Sequence, residues 1–194
     1  DHLTAERVWQ EFERALNTRT PSQFIATLDK SRANYLLSPL DRAKPEESVC
    51  VDTPLLQTAE ERFALLCHIA NLNTDEVEAL ALRLKIPNRF KSLAIAFHRH
   101  SETIANFQTA DPEQKLQLIS DLKLIKQPEA VEPLIRIQTA LQPDKRFNSV
   151  DLESAIKSVA AIEPKQVMMD GFSGAELGSE LRRRQVEALC ALSF

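Results

Sequence analysis

Thr58-Ala59-Glu60-Glu61-Arg62-Phe63-Ala64-Leu65-Leu66-Cys67-His68-Ile69 begins with a helix cap and runs straight into an apolar stretch. Thr58 and Glu61 have the spacing of a capping box. The threonine oxygen accepts from the N–H three residues on, and the glutamate reaches back to the threonine's own N–H. The device recurs outward from this stretch. Thr20-Pro21-Ser22-Gln23 sets a cap, a first-turn proline and a capping-box glutamine in order. Asp111-Pro112-Glu113-Gln114 repeats it, and Ser173 with Glu176 supplies a fourth. Each cap is worth about 1 kcal/mol, so the recurrence carries more weight than one match.

Apolar residues at helical spacing fill the intervals. After Thr4, Val8, Phe12 and Ala15-Leu16 share a face with Trp9 beside it. Val77, Leu80, Ala81 and Leu84 form a stripe, as do Phe90, Leu93, Ala94 and Phe97. Leu116, Ile119, Leu122 and Ile125 follow, then Val131, Leu134, Ile135 and Leu141. Leu152, Ala155, Ile156 and Val159 precede a terminal helix carrying Leu177, Leu181, Ala188 and Leu189. Pro87, Pro112, Pro128 and Pro164 fall at the joints, where a missing N–H is tolerated. The spacing predicts an all-α, multi-helix array of about ten short helices.

Composition supports this class and narrows the chemistry. The 194 residues are 43% hydrophobic and 27% charged, and Gly171, Gly174 and Gly178 are the only glycines. So few glycines leave little room for tight hairpins or phosphate-cradling loops. A net charge of −4 argues against a general nucleic-acid condenser but leaves room for a local basic stripe. Cys50, Cys67 and Cys190 form no CxxC pair, which predicts buried free thiols in a reducing compartment. No apolar run nears the roughly 20 residues of a membrane span, and no signal peptide is visible, so a cytoplasmic location without membrane contact is expected. Met168 and Met169 are the only methionines, so the chain reads either as trimmed at its start or as a piece cut from something longer.

Two stretches interrupt the helical pattern. Residues 39–57, with Pro39, Pro45 and Pro54, read as an irregular loop, and 142–149 read as a polar joint. The expected division is a helical segment over 1–38, the loop over 39–57, a helical body over 58–141 and a tail over 142–194.

Three segments resemble the class II bacterial tRNA nucleotidyltransferases, the CCA-adding enzymes and their poly(A) polymerase relatives. Leu3-Thr4-Ala5-Glu6-Arg7-Val8-Trp9 through Leu28 looks like the neck that follows the family's catalytic head. Arg62 to His68, continuing through Leu82-Arg83-Leu84-Lys85-Ile86-Pro87-Asn88 to His98, looks like the body. Met169-Asp170-Gly171-Phe172-Ser173-Gly174-Ala175-Glu176-Leu177, ending at Arg182-Arg183-Arg184, looks like the family's Gly-Phe-x-Gly turn and final helix.

The resemblance implies a non-catalytic region that holds the acceptor–T arm of tRNA beside its own N-terminal catalytic head. Mg²⁺ and CTP or ATP are expected at that head, which would carry paired metal-binding carboxylates. No such segment stands in these residues, so no cofactor and no nucleotide addition are expected of this chain alone. Some members carry an HD-type phosphohydrolase in the body. Here Cys67-His68-Ile69 puts isoleucine at the aspartate's place, and one imidazole falls short of a catalytic metal site. His68 is read as a core histidine. His98 and His100, two apart on a helix, point in different directions.

Duplex RNA is held mainly through phosphates and 2′-hydroxyls. The candidate RNA contacts are Arg182 and Arg183 on the last helix and Gly174 at its start, where N–H groups can approach a phosphate. Lys165, Lys145 and Arg146 rank second. Arg184 lies nearer the apolar stripe and is expected to be partly structural. Gln185 stands where the family often keeps another basic residue. The competing reading of the arginines is a solvated surface paired with Glu180 and Glu187. Arg83, Lys85, Arg89 and Lys91 read as the solvated side of the body. Two alternative functions remain open. One is a helical protein-interaction or dimerisation module, to which exposed Trp9 and Phe194 would be suited and for which a homodimer is expected. The other is the equivalent part of a poly(A) polymerase, ranked lower because those relatives commonly end in a long basic extension.

Overall fold

Burial of four aromatic rings organises the first half of the chain. The computed structural model describes residues 4–145 and 147–192, and every regular element among them is helical, as the spacing predicts. The α-helices are α1 (Ala5–Leu16), α2 (Ser22–Lys30), α3 (Ala59–Ile69), α4 (Thr74–Leu84) and α5 (Asn88–Ala105). They continue as α6 (Pro112–Asp121), α7 (Glu132–Leu141), α8 (Ser149–Ala160), α9 (Pro164–Met169) and α10 (Gly174–Cys190). Single 3₁₀ segments lie at Asn34–Leu37, Leu40–Arg42, Ser48–Asp52 and Pro128–Val131. No helix among the described residues is long and apolar enough to cross a membrane.

The helices form two compact units. One comprises Asp1–Ser101 with Pro133–Lys145, the other Glu102–Glu132 with Arg146–Phe194. This differs from the division expected over 58–141, because the boundary falls within α5. The apolar stripe of that helix carries no proline or glycine to mark it.

In the first unit Trp9 meets Phe12, Phe63 and Phe90 edge-on, with ring centroids 6.0, 5.7 and 4.8 Å away. Such pairs add to the large apolar area each ring buries. Trp9 is only 4% exposed, so the expectation of an exposed tryptophan is wrong. Its ring is enclosed by α3 and α5 within the same unit rather than offered to a partner. Arg62 ties α1 to α3 from the side: its Nη1 donates to the carbonyls of Leu16 and Thr18 at 2.6 and 3.0 Å. The Leu16 carbonyl is one that the end of α1 leaves unpaired, and Thr18 follows the C-cap Asn17.

Residues 39–57 are more ordered than an irregular loop. Leu40, Ala43, Ser48, Val51 and Leu56 are all buried, and two of the 3₁₀ segments lie here. This stretch also supplies the cap of α2. Asp52 accepts from the N–H and the hydroxyl of Ser22 at 2.9 and 2.5 Å, while the expected Thr20 side-chain cap does not form.

Other helix starts follow local chemistry. Thr58 accepts from the Glu61 N–H at 3.2 Å, and the Glu61 carboxylate takes the N–H of Gln57 rather than that of Thr58. Asp111 and Asn148 cap α6 and α8, and Asn73 with Glu76 forms a complete capping box on α4. Scarce glycine shows at turns and helix ends. Arg32, Asn71, Lys85 and Lys123 all adopt the left-handed backbone that glycine usually takes.

In the second unit α10 packs against α6, α8 and α9, with Leu116, Ile119, Leu152, Ala155, Val159, Val167 and Leu189 buried. Ile125, expected at the end of the α6 stripe, is 49% exposed. The helix stops at Asp121 and Lys123 turns the chain in the left-handed region, so the period is broken before Ile125. Lys115 is buried with its ammonium donating to the Gln108 carbonyl at 3.1 Å and lying 5.5 Å from the Phe107 ring. Desolvation holds its pKa below the usual lysine range.

Candidate nucleic-acid interface

The turn between α9 and α10 is shaped by its backbone. Gly171 has φ +100° and Gly174 has φ +57°, conformations that L side chains rarely adopt. A Cβ built at either would meet nothing within 4 Å, so glycine is favoured here by backbone conformation and not by lack of space, and the outer face of the turn is open. Phe172 closes the turn by donating its N–H to the Val167 carbonyl at 3.4 Å.

Ser173 precedes α10 with extended backbone but makes no side-chain cap bond, so the expected Ser173–Glu176 box is not formed. The positive φ of Gly174 redirects the first turn away from the geometry such a box requires. The first N–H groups of this 17-residue helix therefore have no side-chain cap, and they carry the positive end of its dipole.

Arg184 fastens this turn to the helix. Its guanidinium bonds Asp170 at 2.6 Å and Glu180 at 2.7 Å and lies 5.8 Å from the Phe172 ring. Glu180 and Asp170 raise the Arg184 pKa through these bonds, and Arg184 in turn holds Asp170 below its ordinary carboxylate value. The partly structural role expected for Arg184 is what these contacts describe.

Arg182 and Arg183 are exposed on α10. Arg183 binds Glu180 through two bonds of 2.8 Å and also pairs with Glu187. Bonding to Arg183 first, and Arg184 second, holds the Glu180 carboxyl down to about 2. Arg182 pairs with Glu113 of α6. The three arginines thus lie among Glu113, Asp170, Glu180 and Glu187. The Arg183 pairs are those the competing surface reading anticipates, because i,i+3 and i,i+4 spacing is visible in sequence. The partners Glu113 and Asp170 lack that signal: one comes from another helix and the other from across a turn.

Lys165 is exposed on α9, in the same unit. Lys145 is exposed in the turn after α7 and belongs to the first unit, whereas the arginines of α10 belong to the second. Arg146 and Phe194 lie outside the described residues.

Of the body cations, Arg83, Lys85 and Arg89 are exposed, as the solvated reading expects, but each also has a partner, and Lys91 is half-buried. Arg83 donates to the carbonyls of Leu36 and Ser38, Lys85 pairs with Glu6, and Arg89 pairs with Glu13 and Glu60 at 2.8 and 2.5 Å. His68 is half-buried, with its ring edge-on to Phe97 at 5.1 Å, and burial lowers its pKa, with His98 adding to the effect. His98 is exposed and His100 is buried. Among the described residues no three His, Cys, Asp or Glu side chains stand together as candidate metal ligands. Cys67 is buried, with its thiol pKa raised by desolvation, whereas Cys50 is half-buried and Cys190 exposed, so the thiols are not uniformly interior.

No protein-family model and no solved structure matches the chain.

Proposed function

We propose that this chain is the tRNA-holding, non-catalytic helical part of a bacterial CCA-adding tRNA nucleotidyltransferase. It grips the acceptor–T arm in the cytoplasm while a catalytic head outside these residues adds nucleotides, with Mg²⁺ and CTP or ATP bound at that head. The observation that carries the reading is the glycine turn opening α10. Two of the chain's three glycines take positive φ there, the turn's outer face is open, and the helix it starts presents Arg182 and Arg183. That combination suits a partner recognised by its phosphate backbone, which asks for exposed N–H groups and guanidinium forks on a rigid element.

The test is binding to tRNA lacking its 3′ end, at about 50 and about 200 mM salt, for the wild-type chain and an Arg182→Ala/Arg183→Ala variant. The expected result is salt-sensitive binding that weakens about tenfold or more in the variant, with the salt slope falling by about 2. Wild-type binding that the variant keeps in full would remove these residues from the interface.

A second reading is favoured by one observation. The α10 arginines are compensated by four carboxylates, and a surface balanced in this way suits a protein partner. Light scattering separates the two: a tight dimer without RNA affinity selects the interaction module.

A further inference from the structure

Arg182 and Arg183 each hold a carboxylate that faces solvent. Glu113 is 52% exposed and pairs with Arg182; Glu187 is 61% exposed and pairs with Arg183. Glu180 is bound differently. It is 12% exposed, and both Arg183 and Arg184 bind it, at 2.8 and 2.7 Å. Asp170 bonds both Arg184 and Gln166, at 2.6 and 3.3 Å. Glu180 and Asp170 therefore belong to the framework that fixes the turn. Glu113 and Glu187 are held to the arginines by pairs in which both partners are wet, and water and salt weaken such pairs. A phosphodiester oxygen makes the same charge-assisted bond to a guanidinium that a carboxylate oxygen makes.

We propose that Glu113 and Glu187 occupy, in the unliganded chain, the positions at Arg182 and Arg183 that RNA phosphates take on binding. Binding is then an exchange: each glutamate swings into solvent as a phosphate replaces it. Glu180 stays bound and keeps the Arg183 guanidinium oriented. This rests on the RNA-holding reading of the α10 face. The exchange also acts as a filter. A lone phosphate trades one anion for another and gains little. A nucleic-acid backbone that meets both arginines gains from the second contact being intramolecular.

The test measures affinity for tRNA lacking its 3′ end at one low salt concentration, using the full chain. The variants are Glu113→Gln, Glu187→Gln and Glu153→Gln. Glu153 is exposed on α8 and belongs to none of these ion pairs, so its variant makes the same change in net charge away from the arginines. Glu113→Gln and Glu187→Gln are expected to bind about two- to fivefold tighter, the scale of one wet ion pair. Glu153→Gln should match wild type, and the gain from Glu113→Gln should vanish when Arg182 is alanine. If the two glutamate variants bind no tighter than Glu153→Gln, the exchange is wrong. Binding by wild type that is lost in the double-arginine variant would then leave the RNA-holding reading standing. Absence of binding by every chain at low salt overturns both.

Discussion

Glu61 carries a carboxylate where water does not reach. It is buried at 0% exposure, and Arg136 of α7 bonds its Oε1 at 2.8 and 3.2 Å while the Gln57 N–H takes Oε2 at 2.7 Å. In sequence Glu61 is half of a capping box, and nothing marks Arg136, 75 residues away, as its partner. Removing Arg136 leaves the charge buried with one N–H for company. Arg136→Ala is therefore expected to cost about 3–5 kcal/mol, measured by urea unfolding followed through Trp9 fluorescence. A loss under about 1 kcal/mol would mean that solvent reaches Glu61 once the arginine is gone. The same contrast between local and distant partners holds in the candidate interface. Glu180 and Glu187 can be found from Arg183 by counting residues along one helix. Glu113 reaches Arg182 only because α6 is packed beside α10.

At the scale of elements, the chain ends its helices with few glycines, and the substitutes bear the strain. Lys123 turns the chain after α6 at φ 55°, where an L side chain crowds its own carbonyl. Its side chain is exposed. Lys123→Gly is therefore expected to stabilise the chain by about 1 kcal/mol, the left-handed penalty less the extra freedom glycine has when unfolded. Thermal unfolding followed by circular dichroism at 222 nm checks it, and a lowered midpoint would overturn it. Caps show where sequence spacing suffices. Thr58, Asp111 and Asn73 work within one turn of chain, so their residues carry the whole signal. The cap of α2 comes from Asp52, 30 residues downstream, and Thr20 and Gln23 carried a local pattern that the fold did not use.

Across the whole molecule, the only tryptophan reports on one unit and the Glu180 cluster belongs to the other. Glu180 has its pKa lowered from 4.5 to about 2 by Arg183 and Arg184. A depressed carboxylate contributes stability that is full above its unfolded value and is lost as pH falls through its folded one. Acid loss of α10 contacts is therefore expected between about pH 4.5 and 2. In Glu180→Gln the far-UV melting midpoint should depend less on pH across that window. The Trp9 fluorescence midpoint should be unaffected by the substitution. Equal shifts in both probes would show that the units unfold as one.

What the sequence by itself determined is the helical class, most of the core stripes and the caps of α1, α3 and α6. Those depend on residues within one or two turns of one another, and the 3.6-residue period states them directly. The turn before α10 is expected from the resemblance alone, and Gly171 and Gly174 take there the left-handed backbone that favours glycine. Only the tertiary structure decided that Trp9 is enclosed rather than exposed, that residues 39–57 are packed and that the units divide within α5. It alone also placed Glu113 and Asp170 among the arginines. Each of these depends on which helix lies beside which. That is set by burial and charge pairing between residues far apart in the chain, for which a single sequence has no period.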